Sequence, residues 1–145
     1  MYLTRHADYT MRLLIHLAVQ PDGAATIREI SERYGISRNH LMKVANQATR
    51  AGYVKGVRGR AGGLQLAKRP AELNIGEILR SIEDWTLVEC FDSGSNECRI
   101  DRGCGLKPIL REATAAFLAV LDRYTLEDAV RRKVVLIRVL GLKSA

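Results

Sequence analysis

The chain has 145 residues, 47% apolar and 27% charged, an ordinary globular mixture that excludes disordered and collagen-like classes. Lys and Arg number 23 against 16 acids, for a formal charge of +7. The excess lies in one half: up to Pro70 there are 12 basic and 4 acidic residues, and beyond it 11 and 12. A basic half points to a polyanionic partner, and the near-neutral half has a different task. The run from Leu13 to Val19 is broken by His16 and is far shorter than the roughly 20 residues of a membrane span. Asp8 and Arg12 spoil a signal-peptide reading. A cytoplasmic protein with no membrane segment is expected.

In chain order, Leu13, Leu14, Leu17 and Ala18 give Leu3 to Ala18 a helical rhythm, and Pro21-Asp22-Gly23 ends it. Thr26-Ile27-Arg28-Glu29 has the form of a capping box, so a helix starts there and runs to about Arg33. Tyr34-Gly35-Ile36 is a short turn. Ser37 then caps a second helix with Leu41, Val44 and Ala48 on its inner face, closed by Gly52. Two short helices around a glycine-containing turn make a helix-turn-helix. Tyr53 to Val57 and Leu64 to Ala67 read as strands around the basic tip Arg58-Gly59-Arg60-Ala61-Gly62-Gly63, which supplies the wing of a winged helix. Asn74 caps a helix with Ile75, Ile78, Leu79 and Ile82 on one face. Glu89 to Gly105 is a polar loop holding Cys90, Cys98 and Cys104, every cysteine in the chain. Pro108 falls in the first turn of a longer helix, where its missing amide costs little, and Ile109, Ala113, Ala116 or Phe117, Val120 and Tyr124 recur along it every three to four residues. Thr125 starts one more short helix. Val134 to Leu140 is apolar and β-branched, and fits a strand or helical turns equally well.

The fold class is therefore mainly α: a winged helix-turn-helix over residues 1–70, then a cysteine loop and a long dimerisation helix over 71–145. In a helix-turn-helix the first turn of the second helix meets base edges in the major groove. Here that turn offers Ser37, Arg38, Asn39 and His40, with Lys43 one turn on. Arginine reads guanine and asparagine reads adenine through paired hydrogen bonds. Arg58, Gly59 and Arg60 suit the negative potential of a narrow minor groove, with the glycine allowing close approach. Gln47 and Arg50 fit backbone contacts or plain solvent exposure. No Ser/His/Asp set and no paired carboxylates suggest an active site, so no enzyme is expected.

Seven residues separate Cys90 from Cys98 and five separate Cys98 from Cys104, neither being the two-residue step of zinc knuckles. Three thiolates in one short loop can converge on a soft metal or an iron–sulfur cluster, and spacing alone does not tell zinc from iron. Three reduced cysteines acting as small apolar residues are the plain alternative. A cubane needs four ligands, so one must come from elsewhere. Asp8 stands four residues before Arg12, which by itself describes a surface ion pair worth less than about 1 kcal/mol.

The opening Leu3-Thr4 to Asp8-Tyr9, the segment Arg58 to Leu64 and the three-cysteine loop together resemble the iron–sulfur winged-helix transcriptional regulators, over nearly the whole chain to about Asp128. The segments around Cys90 and from Cys98 to Lys107 are most similar to the nitric-oxide-sensing repressors of that family. The resemblance implies a homodimer on a palindromic DNA operator. It implies an iron–sulfur cluster, 4Fe–4S over 2Fe–2S, held by Cys90, Cys98 and Cys104. It also implies a fourth ligand from Asp8 of the partner chain, and nitric oxide as the signal. Iron-responsive regulators carry a different residue at one of these positions: in one type a histidine stands where this chain has Lys107, and in another the residue matching Asp8 is not a carboxylate. Beside the gas sensor stand three alternatives: an iron-responsive regulator, a thiol redox protein with Arg99 and Arg102 near its cysteines, and a zinc-stabilised DNA binder.

Overall fold

The computed structural model describes residues 3–59 and 62–142. Helix α1 spans Arg5–Val19, its first turn capped by the Thr4 hydroxyl, which accepts from the Ala7 amide. Helix α2, Ile27–Tyr34, starts at the Thr26–Glu29 capping box and ends at Gly35 in the left-handed conformation (φ 64°). Helix α3, Arg38–Arg50, is capped by Ser37, which accepts from the His40 amide. Strands β1 (Val54–Val57) and β2 (Gly63–Leu66) pair antiparallel, with Val54 opposite Leu66 and Val57 opposite Gly63. Helix α4 spans Ile75–Ile82 and starts at the Asn74 cap. After the cysteine loop come α5 (Leu106–Leu121), α6 (Leu126–Ala129) and α7 (Lys133–Val139). The undecided segment Val134 to Leu140 is thus mostly helical.

The predicted winged helix is present. Leu13, Leu14 and Leu17 of α1 meet Ile30 of α2 and Leu41, Val44 and Ala48 of α3, and Val54 of the wing closes the cluster. Leu73, Ile78 and Leu126, from beyond Pro70, belong to the same core. The wing is tied to the entry of α2 by a bridge in which Ala25 and Leu64 exchange backbone hydrogen bonds of 3.0 and 2.8 Å. Gly63 is required there, because a Cβ would stand 2.6 Å from the Ala25 carbonyl oxygen.

Helix α5 is pinned at its C-terminal end. The Arg80 guanidinium forms two hydrogen bonds to the Asp122 carboxylate, and Asn74 donates to the Asp122 carbonyl at 2.7 Å. Gly76 lets the two elements approach: a Cβ on it would collide with the Asp122 side chain and amide. Along α5 itself only Thr114 is buried. Leu106, Ile109 and Val120 are 56, 61 and 44% exposed, so the chain alone leaves this apolar helix largely uncovered.

Helix α7 packs back on α1, with Val19, Val130 and Leu142 at the centre of a second small cluster. Arg33 of α2 donates to the Leu140 carbonyl and so caps the end of α7.

Candidate functional site

The first turn of α3 is a polar, solvent-facing surface. Ser37, Arg38, Asn39 and Lys43 are exposed, while Leu41, Val44, Ala45 and Ala48 hold the opposite face in the core. Ser37, Asn39, His40 and Lys43 line one concavity of about 230 Å³. Lys43, Asn46, Gln47 and Arg50 line the next, of about 310 Å³. The polar face therefore runs the length of the helix. Asn46 joins the residues singled out from the sequence; its position seven after Asn39 and three after Lys43 is the signal that places it on that face. Arg38 lies 3.7 Å from Glu32, which also accepts from Arg28 at 2.9 Å. His40 differs from its neighbours: it is half-buried, with its ring edge-on to Tyr9 of α1 at 4.9 Å between centroids.

At the wing, Arg58 is exposed and Gly59 has φ 113°, a conformation suited to glycine. The Gly62 amide donates to the Gly59 carbonyl at 2.9 Å and closes the turn. Arg60 lies outside the described residues.

The three cysteines are brought together. Cys90 sits in a single 3-10 turn, Glu89–Phe91; Cys98 precedes a second, Asp101–Gly103; Cys104 leads into α5. All three are half-buried and line one cavity of about 160 Å³ with Val88, Ile100, Leu106, Lys107 and Leu110. Among the described residues, no three His, Cys, Asp or Glu side chains converge closely enough for a single metal ion. The three cysteines thus share the wall of one cavity. Lys107 donates to Asp101 at 2.5 Å, and this bond holds the Asp101 carboxyl below the usual carboxylate range. Arg111 of α5 lies over the Phe91 ring, and Trp85 packs on Phe117, so α5 braces the loop at several points.

Asp8 does not line that cavity. It is half-exposed on α1, and Arg12 grips it twice: Nη2 at 2.8 Å and Nε at 3.1 Å from its two oxygens. The Arg12 guanidinium lies 5.9 Å from the Tyr9 ring centroid. A continuous set of contacts therefore leads from Asp8 through Arg12 and Tyr9 to His40 on α3. One end of α1 is also tied to the approach to the cysteine loop, since the Thr4 amide donates to Glu83 at 2.6 Å.

Residues 3–132 match the family model of Rrf2, an iron-dependent transcriptional regulator. The chain belongs to the Rrf2 family. Within reach of it, the HTH-type transcriptional regulator NsrR of Bacillus subtilis is 48% identical over 146 residues, spanning 99% of this chain and 100% of that one. The NsrR of Oceanobacillus iheyensis is 43% identical, over 99% of both chains. Among solved structures, IscR of T. potens superposes with a TM-score of 0.74 at 27% identity, covering 91% of this chain and 88% of that one. CymR, the global cysteine regulator of B. subtilis, gives 0.70 at 25%, covering 91 and 98%. This Rrf2 chain is a DNA-binding transcriptional regulator of the winged-helix type, as the helix-turn-helix and wing had led us to expect. No helix among its described residues is long and apolar enough to cross a membrane.

Proposed function

We propose that the protein is a homodimeric repressor that senses nitric oxide through an iron–sulfur cluster, 4Fe–4S in preference to 2Fe–2S, bound by Cys90, Cys98 and Cys104. The carrying observation is that three thiols from three separate segments line one cavity whose remaining wall is mostly aliphatic. Thiolates are the donors that iron–sulfur clusters take, and the donor set fits. When bound, the cluster supplies iron that reacts with nitric oxide.

No carboxylate or imidazole lines the cavity among the described residues, so a fourth ligand must arrive from elsewhere. Asp8 of a second copy is the proposed source. Binding iron there would cost the Asp8–Arg12 pair; losing it would restore the pair. Arg12 rests against Tyr9, and Tyr9 against His40, so that exchange reaches the first turn of the reading helix. We further propose that residues 1–70 read DNA and residues 71–145 hold the cluster and the second copy. Ser37, Arg38, Asn39, His40 and Lys43 would face the major groove, and Arg58, Gly59 and Arg60 the minor groove. The uncovered stripe of α5 would supply the dimer contact. Half-sites in a palindrome lie about 34 Å apart, so a small rotation of the two reading helices abolishes binding.

Anaerobic purification tests the cofactor. A brown protein carrying iron and sulfide supports this reading. A colourless zinc protein, zinc being d¹⁰, contradicts it.

A further inference from the structure

The cavity carries a polar chain that the thiols do not explain. Lys107 projects from the first turn of α5 and lines the cavity beside the three cysteines. Its ammonium donates to Asp101, and the two side chains are only 20 and 24% exposed. The other Asp101 oxygen accepts from Asn96 Nδ2 at 2.9 Å. Asn96 Oδ1 in turn accepts from the backbone amide of Cys98 at 3.1 Å. Lys107, Asp101 and Asn96 thus join a rigid helix to the main chain of one cysteine without touching its sulfur. Cys90 is braced separately, since its neighbour Phe91 lies under the Arg111 guanidinium of α5 at 5.5 Å.

We infer that Lys107, Asp101 and Asn96 are positioning residues that hold Cys98 in place in the cluster-free protein, so that its thiol faces the cavity before any cluster is inserted. The inference rests on the proposed cluster site for its purpose, though not for its geometry. Loops of polar residues open easily, and a site held in advance by hydrogen bonds avoids paying the ordering entropy at the moment of binding. A cluster sensor that is emptied by its signal must be refilled, and a loop kept closed while empty speeds that step.

The direction of one effect separates positioning from simple electrostatics. If Lys107 acted only as a positive charge beside the thiols, removing it would make them less reactive and slow their alkylation. If it acts through Asp101 and Asn96, removing it frees the Cys98 segment and speeds alkylation of that thiol.

The experiment uses the full-length, reduced, cluster-free protein under anaerobic conditions. Iodoacetamide alkylation is followed at each cysteine by peptide mass spectrometry for the parent, Asn96→Ala and Lys107→Met. Cys98 is expected to react about fivefold faster in both variants, the ratio set by loss of one hydrogen bond's net contribution to the closed loop. Cys90 is expected to keep the parental rate. An unchanged or slower rate at Cys98, or equal acceleration at Cys90, overturns the inference. In a second arm, ferrous iron and sulfide are added and cluster growth is followed by absorbance. Both variants should fill more slowly and end with the parental spectrum; parental filling rates overturn the inference. A parent that forms no cluster refutes the cofactor proposal instead, and the alkylation rates still decide the positioning role.

Discussion

His16 is fully buried on α1, and neither of its ring nitrogens has a hydrogen-bond partner among the described residues. Burial first, and then the charge of Arg33, push its pKa down to about 4, with Glu29 opposing. The unfolded chain therefore takes up this proton before the folded one does. The stability contributed is complete above about pH 6.5 and is lost as the pH falls toward 4, on the order of 3 kcal/mol in all. His16→Phe keeps a ring edge-on to Tyr34, where the centroids are 5.7 Å apart. Denaturant melts of this variant should lose most of the stability slope between pH 6.5 and 4; an unchanged slope would assign it to other groups. Asp8 makes the second residue-scale prediction. Its pair with Arg12 is close to half-exposed and contributes less than about 1 kcal/mol, so Asp8→Ala should fold normally. The variant should still assemble a cluster on three thiols, with an altered visible spectrum and an altered response to nitric oxide. A variant that matches the parent in both would leave Asp8 as the surface partner of Arg12 and nothing more. The pair itself was legible from its four-residue spacing. The chain of contacts from Lys107 to Cys98 was not, because polar loop residues have no period from which to infer who meets whom.

Among the elements, the helix starts were the most legible, because Thr26 with Glu29, Ser37 and Asn74 each satisfy backbone amides that would otherwise be unpaired. The wing followed from two short alternating runs around a glycine-rich tip. Val134 to Leu140 stayed undecided because a short β-branched apolar run serves a strand or a helix alike. Packing against Val19 and the Arg33 cap on Leu140 settled it, and both come from residues more than a hundred positions away. The convergence of the three cysteines was legible as a possibility, while their common cavity depends on α5 bracing the loop through Lys107, Arg111 and Phe117. The wing's own contribution can be measured by salt titration of operator binding. Arg58→Ala removes one exposed cation, so affinity should fall for all sequences and the slope of log K against log salt should decrease in magnitude by about 1. An unchanged slope would remove Arg58 from the interface. Asn39→Ala should instead shift which base is preferred, with the slope retained.

At the scale of the whole molecule, α5 is the proposed dimer contact, since the described residues of one chain leave its apolar stripe largely uncovered. Sequence periodicity marked its apolar stripe, yet it could not tell which positions the chain itself covers. Phe117 is taken up by Trp85, whereas Val120 is left exposed. Val120→Asp therefore tests the dimer with the least harm to the fold. Placing an unpaired charge in the contact should give a folded monomer in sedimentation and abolish operator binding. A variant that remains dimeric would put the contact elsewhere. The proposed chain of cause runs from gas to cluster, to the ligand exchange at Asp8, to Tyr9 and His40, and so to DNA. Its most direct test is an anaerobic titration with nitric oxide, following the visible absorbance of the protein and the fluorescence anisotropy of a labelled operator in one sample. The absorbance of the cluster and the anisotropy of the operator should fall together, over the same range of added gas. Operator that remains bound after the cluster absorbance has changed completely would contradict the proposal.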